Sequence, residues 1–108
     1  MTTYTIEITE QAEQDIRSIY SYIAIGLQAT ENAKGQMGRI EAAISSLDQM
    51  PERYRRYEKE PWRTRNLRVM PVDHFVVFYI PDEETISVRV VRVMYGGRDI
   101  ERELDRTQ

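Results

Sequence analysis

Cysteine is absent from the 108 residues, and histidine occurs once, as His74. A chain without a thiol forms no disulfide framework, has no cysteine nucleophile and builds no zinc–thiolate site. A single histidine also excludes metal sites made of several histidines. We therefore predict a protein that binds neither a metal nor another cofactor.

Long apolar runs are also missing, and the first residues show no basic region followed by an apolar stretch. Such a sequence predicts neither a membrane span nor a secretory signal, and we expect a cytoplasmic protein with no membrane partner. The length fits one domain, residues 1–108, which is large enough to fold around a core without disulfide or metal support.

Charge is unevenly distributed along the chain, although the net charge is only −3. Residues 51–70 carry seven basic side chains against three acidic ones, and Tyr54, Tyr57 and Trp62 lie among them. This mixture is typical of a surface that binds RNA or an acidic protein. It is equally consistent with a solvated loop whose tryptophan belongs to the core.

The first half of the chain predicts one strand followed by two helices. Residues 3–8 alternate polar and apolar side chains, as a half-buried strand does. Thr9 and Thr30 each precede an apolar stripe of helical period, so we expect each to cap a helix. Gly26 is the expected end of the first helix, and Pro51 follows the second.

The second half predicts three strands, around residues 67–70, 74–80 and 86–93, and a short helix within residues 99–106. The alternation in the last strand breaks at Val90-Val91, which indicates a bulge. The order β-α-α-β-β-β places the chain in the α+β class. We expect an antiparallel sheet packed on an αα-hairpin.

No standard catalytic motif is present, so candidate residues come from position alone. Gly96-Gly97 predicts a sharp turn after the last strand that leaves Arg98 free to bind a phosphate. The alternative is an ion pair between Arg98 and Asp99 or Glu101. His74 could serve as a general base, but a structural position at a strand end is the simpler interpretation.

Three segments of the chain resemble the RelE/ParE toxin family. The segment 67–80 reads LRVMPVDHFVVFYI and is similar to the family's central strand pair, and the segment 90–101 reads VVRVMYGGRDIE and is similar to its C-terminal end. The opening strand and helix resemble the family's start. The resemblance covers nearly the whole chain in the right order.

The resemblance implies the toxin of a type II toxin–antitoxin module, of the kind that stabilises plasmids by addiction. It also implies a cognate antitoxin protein that neutralises the toxin, and it leaves homodimerisation open. Family members divide by target. RelE-like members enter the ribosome and cleave mRNA without a metal, whereas ParE-like members inhibit DNA gyrase and need no catalytic centre.

Carried over position by position, the resemblance preserves only part of the RelE-like active site. Arg98 and Arg68 match basic positions of the family, whereas Asn66, Phe75 and Leu104 stand where it has a lysine, an arginine and a tyrosine. Metal-free RNA cleavage requires an acid and a base as well as cations.

We therefore predict a ParE-like gyrase inhibitor whose target-binding residues are Arg92, Tyr95, Arg98, Arg65 and Arg68. One alternative is a RelE-like ribosome-dependent endoribonuclease with Arg68, Arg98 and Tyr95 as catalytic residues, in which Tyr79 or Tyr95 would have to replace the missing acid and base. The other is a degenerate member that binds its antitoxin without being toxic.

Overall fold

The computed structural model describes residues 2–107, which form four strands and three helices. The elements are β1 (Thr5–Ile8), α1 (Glu10–Ser21), α2 (Thr30–Ser45), β2 (Arg68–Val72), β3 (Phe75–Asp82), β4 (Ser87–Tyr95) and α3 (Ile100–Asp105). A π-helical turn, Tyr22–Gly26, extends α1. This order confirms the predicted α+β succession and its short last helix.

The four strands form one sheet in the order β1-β4-β3-β2. Strands β2, β3 and β4 are antiparallel neighbours, as expected. Strand β1 instead lies parallel to β4, with Thr5 opposite Ser87, so the sheet is mixed rather than wholly antiparallel. Two parallel strands need a long connection between them, and here the chain passes through α1, α2, β2 and β3 between β1 and β4.

Strand β4 contains the bulge that its broken alternation predicts. Phe78 of β3 pairs with Arg92, but the next residue, Tyr79, pairs with Val90, so Val91 is the extra residue. Val90 and Val91 lie on opposite faces of the sheet, where each packs in a different core, and the extra residue shifts the alternation so that Val93 instead of Arg92 shares the core of Val90. Both neighbouring valines are thereby buried.

Both faces of the sheet are covered. Helices α1 and α2 pack on one face around a core that includes Ile40, Leu47 and Tyr79. On the other face, α3 and the segment 57–67 enclose a second core that includes Trp62 and Leu104. Trp62 is therefore a core residue of the basic segment.

The two predicted helix caps have different outcomes. Thr9 Oγ1 accepts a hydrogen bond from the Ala12 N–H at 3.1 Å, and this confirms the cap of α1. Thr30 is already the first residue of α2 and caps nothing, because the Ala33 N–H bonds to the Ala29 carbonyl at 2.9 Å and makes Ala29 the N-cap residue. The Thr30 cap was therefore a wrong prediction.

The outer side of β2 is covered by the segment before it. The Val69 N–H donates to the Arg55 carbonyl at 3.0 Å, and the Tyr57 N–H donates to the Leu67 carbonyl at 2.8 Å. Further along β2, Pro71 has no N–H to offer. Strand β1 is the other edge of the sheet. Within residues 2–107, no helix has the length and apolar character that crossing a membrane requires.

Candidate functional site

A groove of about 770 Å³ opens at one end of the sheet, between the helices and the end of β4. Strand β1 pairs only with Ser87–Val90, so the second half of β4 borders helix α1 instead of a strand. The π-helical turn and the start of α2 form the opposite wall. The groove thus follows from the shortness of β1.

Apolar side chains dominate the wall and the rim of this groove. Tyr22, Leu27 and Tyr95 line it and are 64%, 56% and 55% exposed, and Ile25, in the same turn, is 74% exposed. Large apolar side chains gathered around an opening are typical of a protein-binding surface, since water solvates them poorly. The groove is therefore the candidate binding site of the molecule.

Tyr95 is held at the rim by the ring of Phe75. The two rings meet edge to face, with centroids 6.0 Å apart and planes at 72°. This geometry is favourable because the positive edge of one ring meets the negative face of the other. The structure thus places Tyr95 where a second macromolecule could reach it.

Arg98 lies beside Tyr95 and is half exposed. Its Nη2 atom is 3.2 Å from Oε1 of Glu103, one turn into α3, rather than beside Asp99 or Glu101 as the alternative interpretation expected. The Arg98 side chain is 52% exposed and that of Glu103 19%, so the pair fixes one side of the guanidinium and leaves the other side open to solvent. Arg98 therefore remains available at the groove.

Arg92, by contrast, is used within the fold. Its side chain is 5% exposed and bonds to both carboxylate oxygens of Asp15 at 2.7 and 3.0 Å. It also donates to Thr107 Oγ1 at 3.0 Å. The bond to Asp15 raises the pKa of the guanidinium, which stays charged. The prediction that Arg92 contacts a target is not supported, because it ties α1, β4 and α3 together.

Arg65 and Arg68 lie at the other end of the sheet. The guanidinium of Arg68 donates to Asn66 Oδ1 and to the carbonyls of Glu52 and Tyr54 at 2.9–3.2 Å. Arg65 covers the Trp62 ring, its Cζ atom 4.9 Å from the centroid. Both line a separate depression shared with Asp82, Glu83 and Glu84.

The register of β3 separates these arginines from the groove. Arg68 faces Tyr79, whereas Tyr95 faces Phe75, four residues earlier on the same strand. At about 3.3 Å per residue, the positions on β3 that pair with Arg68 and with Tyr95 are roughly 13 Å apart. The five predicted site residues therefore do not form one site: Tyr95, Arg98 and the largely buried Arg92 line the groove, whereas Arg65 and Arg68 do not reach it.

Two of the side chains proposed as acids or bases, Tyr79 and His74, have structural surroundings. Tyr79 is buried and donates to the Pro51 carbonyl at 2.6 Å, and burial raises the pKa of its hydroxyl to about 12. His74 is exposed at the groove wall, where its backbone carbonyl accepts from the Gly96 N–H. Across residues 2–107, no three histidine, aspartate or glutamate side chains cluster closely enough to hold a metal ion.

Sequence reasoning missed the apolar turn after α1. Gly26 was interpreted as a helix end, and the side chains around it were not considered as a surface. A signal was present, since Tyr22, Ile25 and Leu27 exceed what one buried helical stripe can accommodate. It also missed Asp15, whose partner Arg92 is 77 positions away in sequence.

Comparison with protein families matches residues 6–100 to the ParE toxin of the type II toxin–antitoxin system parDE. The match extends over helices α1 and α2 and over all four strands, apart from the first residue of β1. No curated protein matches the chain in sequence.

Solved structures share the fold at low sequence identity. A chain of the chromosomal ParDE system of P. aeruginosa is 17% identical with a TM-score of 0.66, over 86% of this chain and 96% of that one. A chain of the RelBE2 toxin–antitoxin complex of Mycobacterium tuberculosis is 19% identical with a TM-score of 0.60, over 87% of this chain and 99% of that one. A chain of the archaeal RelE–RelB complex of Pyrococcus horikoshii OT3 is 16% identical with a TM-score of 0.63, over 90% of this chain and 99% of that one.

Proposed function

The chain belongs to the ParE toxin family of type II toxin–antitoxin systems, and on this basis we propose that it binds and inhibits DNA gyrase in the cytoplasm. A cognate antitoxin neutralises it by covering the groove. This activity would stabilise a plasmid or another element that encodes the pair.

The observation that carries the proposal is the exposed rim of the groove. Tyr95 and Arg98 stand beside apolar side chains that a partner protein could bury. Tyrosine and arginine are the residue types most often found as energetic anchors of protein interfaces. A toxin that acts by binding needs such a surface and no reacting group.

Support for an antitoxin partner comes from the structural relatives. Two of the similar chains come from complexes of a toxin with its antitoxin, RelBE2 and archaeal RelE–RelB, and a third from a ParDE system. An antitoxin that occupied the groove would block Tyr95 and Arg98 together, which accounts for neutralisation by coverage.

The endoribonuclease alternative lacks comparable support. It requires Arg68, Arg98 and a tyrosine to act on one phosphate, and catalytic groups must lie within hydrogen-bonding reach of the reacting atoms. Here Arg68, the first residue of β2, donates to the carbonyls of Glu52 and Tyr54 in the preceding loop, at the far end of the sheet from Arg98. Tyr79 is buried in the core beneath the helices.

The test is a supercoiling assay with purified gyrase and purified toxin. We expect the toxin to inhibit supercoiling, Arg98→Ala to weaken inhibition about tenfold, and the exposed α3 control Arg102→Ala to leave it unchanged. Normal supercoiling at excess toxin would contradict the proposal. Messenger RNA cut at ribosome-bound codons would indicate the endoribonuclease, and antitoxin binding without either effect would indicate an inactive member.

A further inference from the structure

We propose that Gly97 is a positioning residue, whose missing side chain leaves the space in which the ring of Tyr95 is held as an anchor for the partner protein. The inference rests on the proposed function, because it assumes that the groove receives a protein. It assigns a role to a residue outside the contact surface itself.

The observation is a close approach between the Tyr95 ring and the backbone of Gly97. A Cβ atom at Gly97 would lie 2.6 Å from Cε2 of the ring, 3.3 Å from Cδ2 and 3.5 Å from Cζ. Real Cβ atoms essentially never approach another heavy atom within 3.0 Å, so any side chain here must displace the ring. The present position of Tyr95 therefore requires glycine.

Backbone conformation does not explain the glycine. The predicted sharp turn is present, with the Arg98 N–H bonded to the Tyr95 carbonyl at 3.1 Å, but no glycine among residues 2–107 has a positive φ, so the turn does not itself require glycine. Alanine is compatible with the negative φ of Gly97, and the atoms that its Cβ would displace belong to the Tyr95 ring and not to backbone. A substitution here should move one ring and leave the fold intact.

The ring of Tyr95 is thus confined from two directions while it stays accessible. Phe75 meets it edge to face at 6.0 Å, and one edge of the Tyr95 ring occupies the space of a Cβ at Gly97, yet Tyr95 is 55% exposed. An interface side chain that is already fixed loses less rotational freedom on binding than a mobile one does. Tyr95 is therefore preorganised for contact.

A protein is the partner that this arrangement fits. Tyr22 and Leu27 line the same groove, are each more than half exposed, and offer apolar surface that another protein could bury. A fixed aromatic ring at the edge of such a surface is the usual form of an interface anchor. Among the proteins the toxin meets, the antitoxin is the one that must remain bound.

The experiment compares three glycine substitutions. Gly97→Ala should displace only the Tyr95 ring. Gly38→Ala is the matched control, since a Cβ there would meet no other part of the described chain within 4 Å. Gly96→Ala is the positive control for damage to the fold, because its Cβ would lie 3.2 Å from the backbone oxygen of His74.

Two measurements are made on each variant. The first is the NMR cross-peak between the ring protons of Tyr95 and Phe75, which Gly97→Ala should abolish and Gly38→Ala should keep. The melting temperature should stay unchanged in Gly97→Ala and rise in Gly38→Ala, because alanine stabilises a helix interior relative to glycine. The second is affinity for the purified antitoxin encoded beside the toxin gene. We expect Gly97→Ala to weaken it about two- to twelvefold, the range for freeing one ordered side chain.

A double-mutant cycle separates positioning from a general structural effect. In a Tyr95→Ala background, Gly97→Ala should have no further effect on affinity, because no ring remains to be displaced. An intact Tyr95–Phe75 cross-peak in Gly97→Ala would overturn the inference, and so would a displaced ring with unchanged affinity. Failure of the unsubstituted toxin to bind its antitoxin would overturn the proposed function, and the anchor role with it.

Discussion

Arg92 and Asp15 form the least exposed ion pair within residues 2–107, at 5% and 12% side-chain exposure. The Asp15 carboxylate also accepts from the Val93 N–H at 2.9 Å, so it closes the side of β4 that β1 does not reach. The pair thus replaces a strand neighbour with a side chain from α1. Its strength should be visible in the stability of the whole domain.

We predict that Arg92→Ala lowers the free energy of unfolding by about 3–5 kcal/mol, because it leaves Asp15 with a buried, uncompensated charge. Chemical denaturation followed by circular dichroism measures this. The control is Arg17→Ala on the same helix, whose pair with Glu13 is 62% and 55% exposed and should contribute less than about 1 kcal/mol. Equal losses in the two variants would contradict the prediction.

The burial of Arg92 shows why single residues are hard to place from a sequence. Arg89 and Arg92 occupy the same strand and read alike in the sequence, yet Arg89 is exposed and Arg92 buried. The bulge at Val91 shifts the alternation between them, and the partner Asp15 is distant in sequence. The broken alternation predicts the bulge, but no local pattern identifies Asp15 as the partner of Arg92.

At the scale of elements, α1 and α2 begin in different ways although a threonine, Thr9 or Thr30, stands at the start of each. We predict that Thr9→Ala costs about 1 kcal/mol of stability, because it removes the acceptor for the Ala12 N–H and the 3.2 Å bond from its hydroxyl to the Val91 carbonyl. Thr30→Ala, where no cap bond exists, should change stability by less than about 0.5 kcal/mol. Urea titration of both variants distinguishes them, and a reversed order would refute the assignment.

The elements themselves were largely predictable, because each depends on nearby residues. Alternation in residues 3–8, the apolar stripe of α1 and the irregularity at Val90-Val91 all predicted what the structure contains. The parallel pairing of β1 with β4 was not predictable in this way. Strand partners are selected by the packing of distant segments, which no local periodicity encodes.

At the scale of the molecule, the apolar turn after α1 and the rim of the groove form one accessible region. We predict that Ile25→Ser weakens antitoxin binding about tenfold, roughly 1.4 kcal/mol, because Ile25 loses its burial in the complex. Met50→Ser is the control, as Met50 is similarly exposed, at 69%, on the loop before β2. Calorimetric titration with the antitoxin gives both affinities, and equal values would exclude the turn from the interface.

The candidate site was only partly predictable for a related reason. Tyr95 and Arg98 are neighbours in sequence, so the end of β4 brings them together at the groove. Arg65 and Arg68 were grouped with them by charge, but the antiparallel path of β2 and β3 carries them to the opposite end. Composition predicts which residue types are available, and only topology decides which of them meet.

The covered side of β2 limits how this sheet can grow. Residues 55–57 and Pro71 leave that side without a continuous row of free backbone groups, while β1 has no strand beyond it within the described chain. A ribbon of folded copies that grows by edge-to-edge pairing needs two open sheet edges on every copy. With one edge closed, strand pairing between folded molecules can join two chains and then stops.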